Sequence, residues 1–401
     1  MPELFIARQP IYDFNLQVYG YELLYRSNMH NNACFQDGRQ ATSQVLINAF
    51  IDIGLEKLVS GHRVFINMPE DLLLNSPEIP LPVDRTVLEV PTHNATGPSL
   101  VEAVRQHKEK GYTIALDNFE LNPQTEALIP YVDLAKIDIS HTSLETIAAL
   151  AKNLRKRNIK LLALKIEDPD QVTRLLELGF EFLQGNFLSR PKIIHQQRLS
   201  SNRAAVMRLL SKIYDPDIEI DELVKLISTD VGLSYRLIRY LNSAFFNLVT
   251  KIESIHHAAT YLGREPIKVW VCILTLAKTI DKPSELMKLA LIRGKMCESL
   301  AKFIPDSRPE AYFTAGLFSA LDMLLDQSMG ILLAELPLSD ALKGALLSRQ
   351  GPMGEALTCT LAIESCDLDD IHFQGLSDTE LNRLHVNAID WAEQAQNAIV
   401  D

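Results

Sequence analysis

No apolar run in this chain approaches the ~18 consecutive residues that a membrane-spanning helix requires, and no membrane association is expected. Cysteine is sparse: five among 401 residues, at positions 34, 272, 297, 359 and 366. They are scattered, odd in number and without CxxC spacing, which excludes a disulfide scaffold and argues against structural zinc. Reduced thiols of this kind suit a cytoplasmic protein. Residues 1–10 contain Glu3 and Arg8 and lack the apolar core of a secretory leader. Positive charge is also short, with 39 Lys and Arg against 51 Asp and Glu and a net charge of −12. That deficit argues against general electrostatic attraction to nucleic acid, and no nucleic-acid partner is expected. Neither GxGxxG nor GxxxxGK[ST] follows any apolar run, so nucleotide-loop folds are set aside.

A chain of this length exceeds what one core usually supports, and its two halves follow different patterns. Short β-like runs at 4–6, 17–25, 63–67, 86–90, 112–116, 134–139, 160–166 and 181–183 alternate with helical patterns such as 41–53, 99–110, 143–157 and 169–178. Repeated β-then-α order predicts parallel strands with helical crossovers. About eight strands favour a closed, TIM-like (β/α) barrel. After residue 195 the period is helical throughout, with turns marked by Asp215-Pro216-Asp217, Pro305-Asp306 and Gly351-Pro352. The expected organisation is therefore α/β followed by all-α: a barrel over 1–195 and a helical domain over 196–401. Helices are expected at 200–213, 220–228, 234–242, 255–262, 265–277, 284–303, 309–327, 339–347, 353–365 and 378–397.

The apolar strands of the first half each end in a polar group. Glu22 lies within Gly20-Tyr-Glu-Leu-Leu-Tyr-Arg26, Asn67 ends Val64-Phe-Ile-Asn67, and Glu89 lies in Leu88-Glu89-Val90. Asp117 ends Tyr112-Thr-Ile-Ala-Leu-Asp117, and Lys136 and Asp138 share one short run. A carboxylate in such surroundings is costly unless it is paired or ligating, and polar strand ends are how barrel enzymes assemble a site. Simpler pairings remain open: Glu22 with Arg26, and Lys136 with Asp138 on one strand face.

The ordered set of strand ends resembles the EAL family of bacterial phosphodiesterases, which linearise cyclic di-GMP. The resemblance runs over roughly residues 1–191, through Glu22-Leu-Leu-Tyr-Arg26, Asn67, Glu89, Asp117-Asn118-Phe119, Ala135-Lys136-Ile-Asp138 and Gln184-Gly185-Asn186-Phe187. It implies that Glu22, Asn67, Glu89 and Asp117 hold one Mg²⁺ or Mn²⁺. It also implies that Lys136 stands near the attacking water, and that Arg26, Gln184 and Asp138 meet the ligand. Several positions depart from the family pattern. Asn118 stands in place of a second aspartate, and Leu164, in Ala163-Leu164-Lys165-Ile-Glu167, in place of an acid. Glu120-Leu-Asn122 replaces a glycine-rich loop, and Lys165 falls where glycine is usual. Two-metal catalysis without those acids is expected to be severely impaired, since losing one transition-state group commonly costs ~10²–10³-fold.

The second half resembles the HDOD domain, a helical output module, over 196–401. The match is carried by Leu226-Ile-Ser-Thr-Asp230, Leu241-Asn242-Ser243-Ala244 and Ser254-Ile-His-His-Ala258. Where a metal-dependent relative would carry its histidine-aspartate pair, this chain has Gly316-Leu-Phe-Ser-Ala320. The expectation is a signalling protein of cyclic di-GMP circuits, such as motility, biofilm or stress. In it a degenerate barrel senses a ligand and the helical domain meets a partner protein, with homodimers an option. The alternatives are a slow phosphodiesterase and a scaffold without ligand. His256 and His257, about 100° apart on a helix, are read as capping or packing residues. Cys272 and Cys297 are read as buried small hydrophobes, and the basic run 152–157 as a solvated helix end.

Overall fold

The computed structural model describes residues 4–27, 58–75, 79, 81–92, 97–140, 142–185, 201–248, 250–279, 283–365 and 371–400. The helix expected over 41–53, the side chain of Arg26, and Asn186 with the residues up to 200 lie outside that description. The chain divides into two compact units, the main division falling between residues 190 and 191.

The first unit is a closed eight-stranded barrel in strand order β1 to β8. Its strands are β1 Leu4–Asp13, β2 Val18–Ser27, β3 Arg63–Asn67, β4 Thr86–Pro91, β5 Thr113–Asp117, β6 Leu134–Asp138, β7 Lys160–Leu164 and β8 Phe182–Leu183. From β2 onward all neighbours pair in parallel, but β1 runs antiparallel to both β2 and β8. The expectation of uniformly parallel strands fails here for a local reason. The β1–β2 connection is a tight turn with no room for a crossover helix. Asp13 Oδ1 accepts from the backbone N–H of Asn15 and Gln17, and Leu16 takes the left-handed φ of 58°.

Helices α1 Glu70–Asn75, α2 Pro98–Glu109, α3 Pro123–Leu128, α4 Leu144–Arg155 and α5 Pro169–Glu177 flank these strands. Asn122 and Asp168 start α3 and α5 with reciprocal capping boxes, and Pro123 and Pro169 occupy the first turn, where a missing N–H costs nothing. Inside the barrel Ile11, Phe65, Val87, Ala115, Leu134, Leu162 and Phe182 form one apolar cluster. Side chains two residues apart on a strand share a face. The next inward positions are therefore Asn67, Glu89, Asp117, Lys136 and Gln184, a polar layer above an apolar floor. Strand β7 departs from this rule, because Leu164 follows Leu162 and joins the apolar cluster.

The second unit is helical. The expected helix over 309–327 is interrupted, giving Pro309–Phe318 and Leu321–Leu325, and Met329–Ala334 is an additional short helix. Gly351-Pro352 opens a helix, Gly351–Ser365, and is not a loop; proline is tolerated in a first turn. Ser284–Ala301 is buried over most of its surface and packs closely on Pro309–Phe318. A Cβ on Gly316 would stand 2.2 Å from the Arg293 carbonyl oxygen, so glycine sets the distance between these helices. Asn242 folds the segment after Val231–Leu241 back on itself, donating to the carbonyls of Ile238 and Ile252 and accepting from the Ile252 N–H. Tyr240, Phe245, Phe246, Trp270 and Trp391 form a connected aromatic cluster. Cys272 and Cys297 are buried, and burial pushes the Cys297 thiol up to about 11. Ser254 caps Ile255–Leu262 by accepting from the His257 N–H, so the two histidines sit in the first turn of that helix. No helix among the described residues is long and apolar enough to cross a membrane.

Candidate functional site

The polar layer converges on Lys136. Its Nζ lies 2.6 Å from Glu89, 3.1 Å from Glu22 and 3.2 Å from Asp117. Lys136 is 1% exposed, Glu89 0% and Glu22 8%. Asn67 is paired in register with Glu89 on the adjacent strand, so the amide lies on the same face as the acid. Gln184 Nε2 donates to Glu22 at 2.5 Å and to Gln9 at 3.0 Å. Two buried acceptors, Glu89 Oε2 and Gln184 Oε1, have no hydrogen-bond partner.

Burial separates the carboxylates electrostatically. Complete burial pushes the Glu89 carboxyl well above the usual range; Lys136 opposes the shift, while Glu22 and Asp117 add to it. Burial also works against ionisation of Glu22, but Lys136 and the Gln184 amide outweigh it and hold the Glu22 carboxyl below its ordinary value. Burial lowers the Lys136 ammonium, yet the three carboxylates more than compensate, and it stays protonated. Which effect wins depends on the group: burial prevails at Glu89, and the charges and hydrogen bonds in contact prevail at Glu22 and Lys136.

The layer opens into a cleft of about 370 Å³ lined by, among others, Glu22, Asp117, Asn118, Lys136, Leu164 and Lys165. Lys136 and Asp138 share a strand face as expected, but they do not pair. Lys136 is drawn down to Glu89, whereas Asp138, at the strand end, binds Lys165 Nζ at 2.6 Å and accepts from Ser140. Burial opposes ionisation of Asp138, and those hydrogen bonds reverse the effect. Asn118 has the left-handed φ of 47°, and its Nδ2 donates to Asp117 Oδ2. Thr92 clamps this turn by donating to the carbonyls of Asp117 and Asn118.

Comparison with known proteins identifies both halves of the chain. The EAL domain profile covers residues 2–191 and the HDOD domain profile residues 199–327. The uncharacterized protein YuxH of Bacillus subtilis (strain 168) is 34% identical over 406 residues, spanning 98% of this chain and 99% of its own. The chain belongs to the EAL–HDOD family. A second relative, the cyclic di-GMP phosphodiesterase CdgJ of Vibrio cholerae serotype O1, is 33% identical over 372 residues, 90% of this chain and 85% of CdgJ. Among solved structures, the PaMucR phosphodiesterase in complex with c-di-GMP aligns with 47% of this chain and 96% of its own at 21% identity and a TM-score of 0.39.

The family implies divalent metal, and the described residues offer oxygen donors for at most one cation. Glu22, Asn67, Glu89 and Asp117 are hard oxygen donors of the kind magnesium and manganese take, and Glu89 Oε2 lacks a partner. Among the described residues no three acidic, histidine or cysteine side chains stand ready to hold a metal. Lys136 fills the point where the carboxylates meet, so a cation would have to displace its ammonium. A second cation finds less: Asn118 is neutral, with its amide nitrogen turned to Asp117, and Leu164 offers no donor. In the helical unit Gly316–Ala320 is buried and carries neither acid nor histidine. Gln9 and Thr92 also belong to the site and were not anticipated. Gln9 faces Glu22 in register on β1, a strand expected to end at residue 6.

Proposed function

We propose that this protein is a cyclic di-GMP-responsive signalling protein whose barrel binds the dinucleotide at its polar layer and whose helical unit passes the bound state to a partner protein. The observation that carries this reading is the buried oxygen cluster around Lys136, with its unpartnered Glu89 Oε2, opening into a cleft bordered by Asn118 and Leu164. Glu22, Asn67, Glu89 and Asp117 would hold one Mg²⁺ or Mn²⁺, which supplies charge stabilisation to a phosphate oxygen. Without the cation the Lys136 ammonium holds these carboxylates together, and Gln184 fixes the Glu22 carboxylate through its amide. Asp138 and Arg26 are the remaining ligand contacts in this reading. Leu164 can neither bind a metal nor move a proton, and Asn118 brings no charge, so binding outlasts efficient hydrolysis.

A second reading, a working phosphodiesterase with Lys136 beside the attacking water, is favoured by the similarity to CdgJ over most of both chains. One experiment separates the two. Calorimetric titration of the full chain with cyclic di-GMP and Mg²⁺ is paired with a single-turnover assay in Mn²⁺. Saturable binding without linear dinucleotide is expected. No heat from either titrant refutes ligand sensing. Linear product that vanishes on Glu22→Ala establishes the phosphodiesterase.

A further inference from the structure

We propose that Lys165 is the phosphodiester-binding residue of the cleft, a fixed ammonium that allows the ligand's phosphate to be captured without a divalent cation. The inference rests on the barrel being a cyclic di-GMP site, and adds to that reading a residue and a metal dependence. Lys165 follows directly on β7 with φ 57°, a left-handed conformation that side chains other than Asn and Asp rarely adopt. The backbone is held there. The Ile166 N–H donates to the Gln184 carbonyl at 3.1 Å, and a Cβ on Gly185 would stand 2.3 Å from the Ile166 carbonyl oxygen. Glycine would take this position without strain, and the chain places a lysine in it.

Stability does not explain that choice. Lys165 is 61% exposed and its pair with Asp138 sits largely in water, where an ion pair contributes little. Positioning does explain it. Ser140 donates its N–H and its hydroxyl to Asp138 Oδ1 at 2.9 and 2.6 Å, leaving Oδ2 for Lys165 at 2.6 Å. The carboxylate is thereby fixed, and it fixes the ammonium. An ammonium has three donors; one goes to Asp138 and two remain for a ligand.

The charges of the cleft single out the same residue. Glu22, Asp117 and Glu167 line it, together with Lys136 and Lys165. Lys136 is spent on three carboxylates. Among the described cleft-lining residues, Lys165 is thus the lysine with donors to spare for an incoming phosphate. Leu164 beside it supplies no oxygen. Strand β7 therefore ends in an apolar wall and a cation where its neighbours end in oxygens, an arrangement suited to an anion and not to a metal.

The test is titration of cyclic di-GMP into the full chain, in EDTA and in Mg²⁺, for the wild type, Lys165→Gly, Lys165→Gln and Lys165→Arg. Glycine suits the backbone, so that variant is expected to fold; glutamine keeps the bulk and removes the charge. The wild type is expected to bind in EDTA. Both neutral variants should weaken that binding by about tenfold or more, the scale of a lost charge-assisted contact. Their residual binding should also respond less to added KCl, and arginine should retain most of the affinity. Unchanged affinity in both neutral variants overturns the role of Lys165 and leaves the cyclic di-GMP reading standing. Wild-type binding that requires Mg²⁺ overturns metal-free capture. No wild-type binding in either buffer overturns the reading of the barrel and this inference with it.

Discussion

Lys136 brings one ammonium into a space shared by Glu22, Glu89 and Asp117, and the consequence is a competition. Removing one partner of a buried ionic group leaves uncompensated charge, at a cost of roughly 3–5 kcal/mol. Lys136→Met should therefore lower the stability of the barrel strongly in EDTA. The same change vacates the point where a divalent cation would sit, so Mn²⁺ should restore part of the loss by binding the folded state alone. Thermal melting in EDTA and in Mn²⁺ checks this, with a larger Mn²⁺-induced shift expected for the variant than for the wild type. Equal shifts would mean that the lysine and the cation do not share a place. The lysine's inward position was readable from its strand, but its partner was not. Lys136 and Asp138 alternate identically along β6, and only the closed barrel reveals that Glu89 lies across from one and Lys165 above the other.

Among the elements around the barrel, α1 and α2 are joined by a buried histidine. His107 on α2 is 2% exposed, and its Nε2 lies 3.2 Å from the Leu73 carbonyl oxygen in α1, while Nδ1 has no partner. Burial holds the imidazole below its ordinary value; the bond to Leu73 opposes the shift and Lys110 adds to it. A neutral Nε2–H tautomer satisfies Leu73. The unfolded chain takes up a proton near the ordinary value of about 6.5, whereas the folded barrel resists it. Stability from this group is therefore complete above that value and is lost as pH falls through it toward the folded value. Denaturant unfolding between pH 8 and pH 5 should show this acid-side loss, reduced in His107→Gln, which keeps a donor for Leu73 without titrating. An identical pH profile in the variant would remove His107 as the cause. The elements themselves were mostly legible, because β3 to β7 are short apolar runs buried over their central residues and each begins or ends in a turn or cap. Three features were not legible. The antiparallel β1 depends on a hairpin too short for the β-then-α pattern. The break after Phe318 falls at Ser319-Ala320, inside a mostly apolar run with no proline to mark it. The role of Gln9 exists only once β1 lies beside β2.

At the scale of the whole molecule, the two units must exchange free energy if the protein signals. A ligand shifts an equilibrium only by its difference in affinity for the two states, and any coupling is reciprocal. Couplings of about 1–3 kcal/mol correspond to roughly 5–150-fold changes in affinity, large enough to read out as altered local opening. The net charge of −12 gives the chain no general attraction to a polyanion, so in the proposed reading ligand capture rests on the cleft itself. Hydrogen exchange of the full chain with saturating cyclic di-GMP should therefore show protection at the C-terminal ends of β5 to β8. It should also show changed exchange in the helical unit, around the Asn242 fold-back whose hydrogen bonds to Ile238 and Ile252 are local and few. Glu22→Ala, titrated to the same occupancy, tests whether the signal starts from the carboxylate layer and should give barrel protection with a weakened helical response. Protection confined to the barrel in the wild type would make the ligand a local stabiliser and the helical unit an independent binding surface.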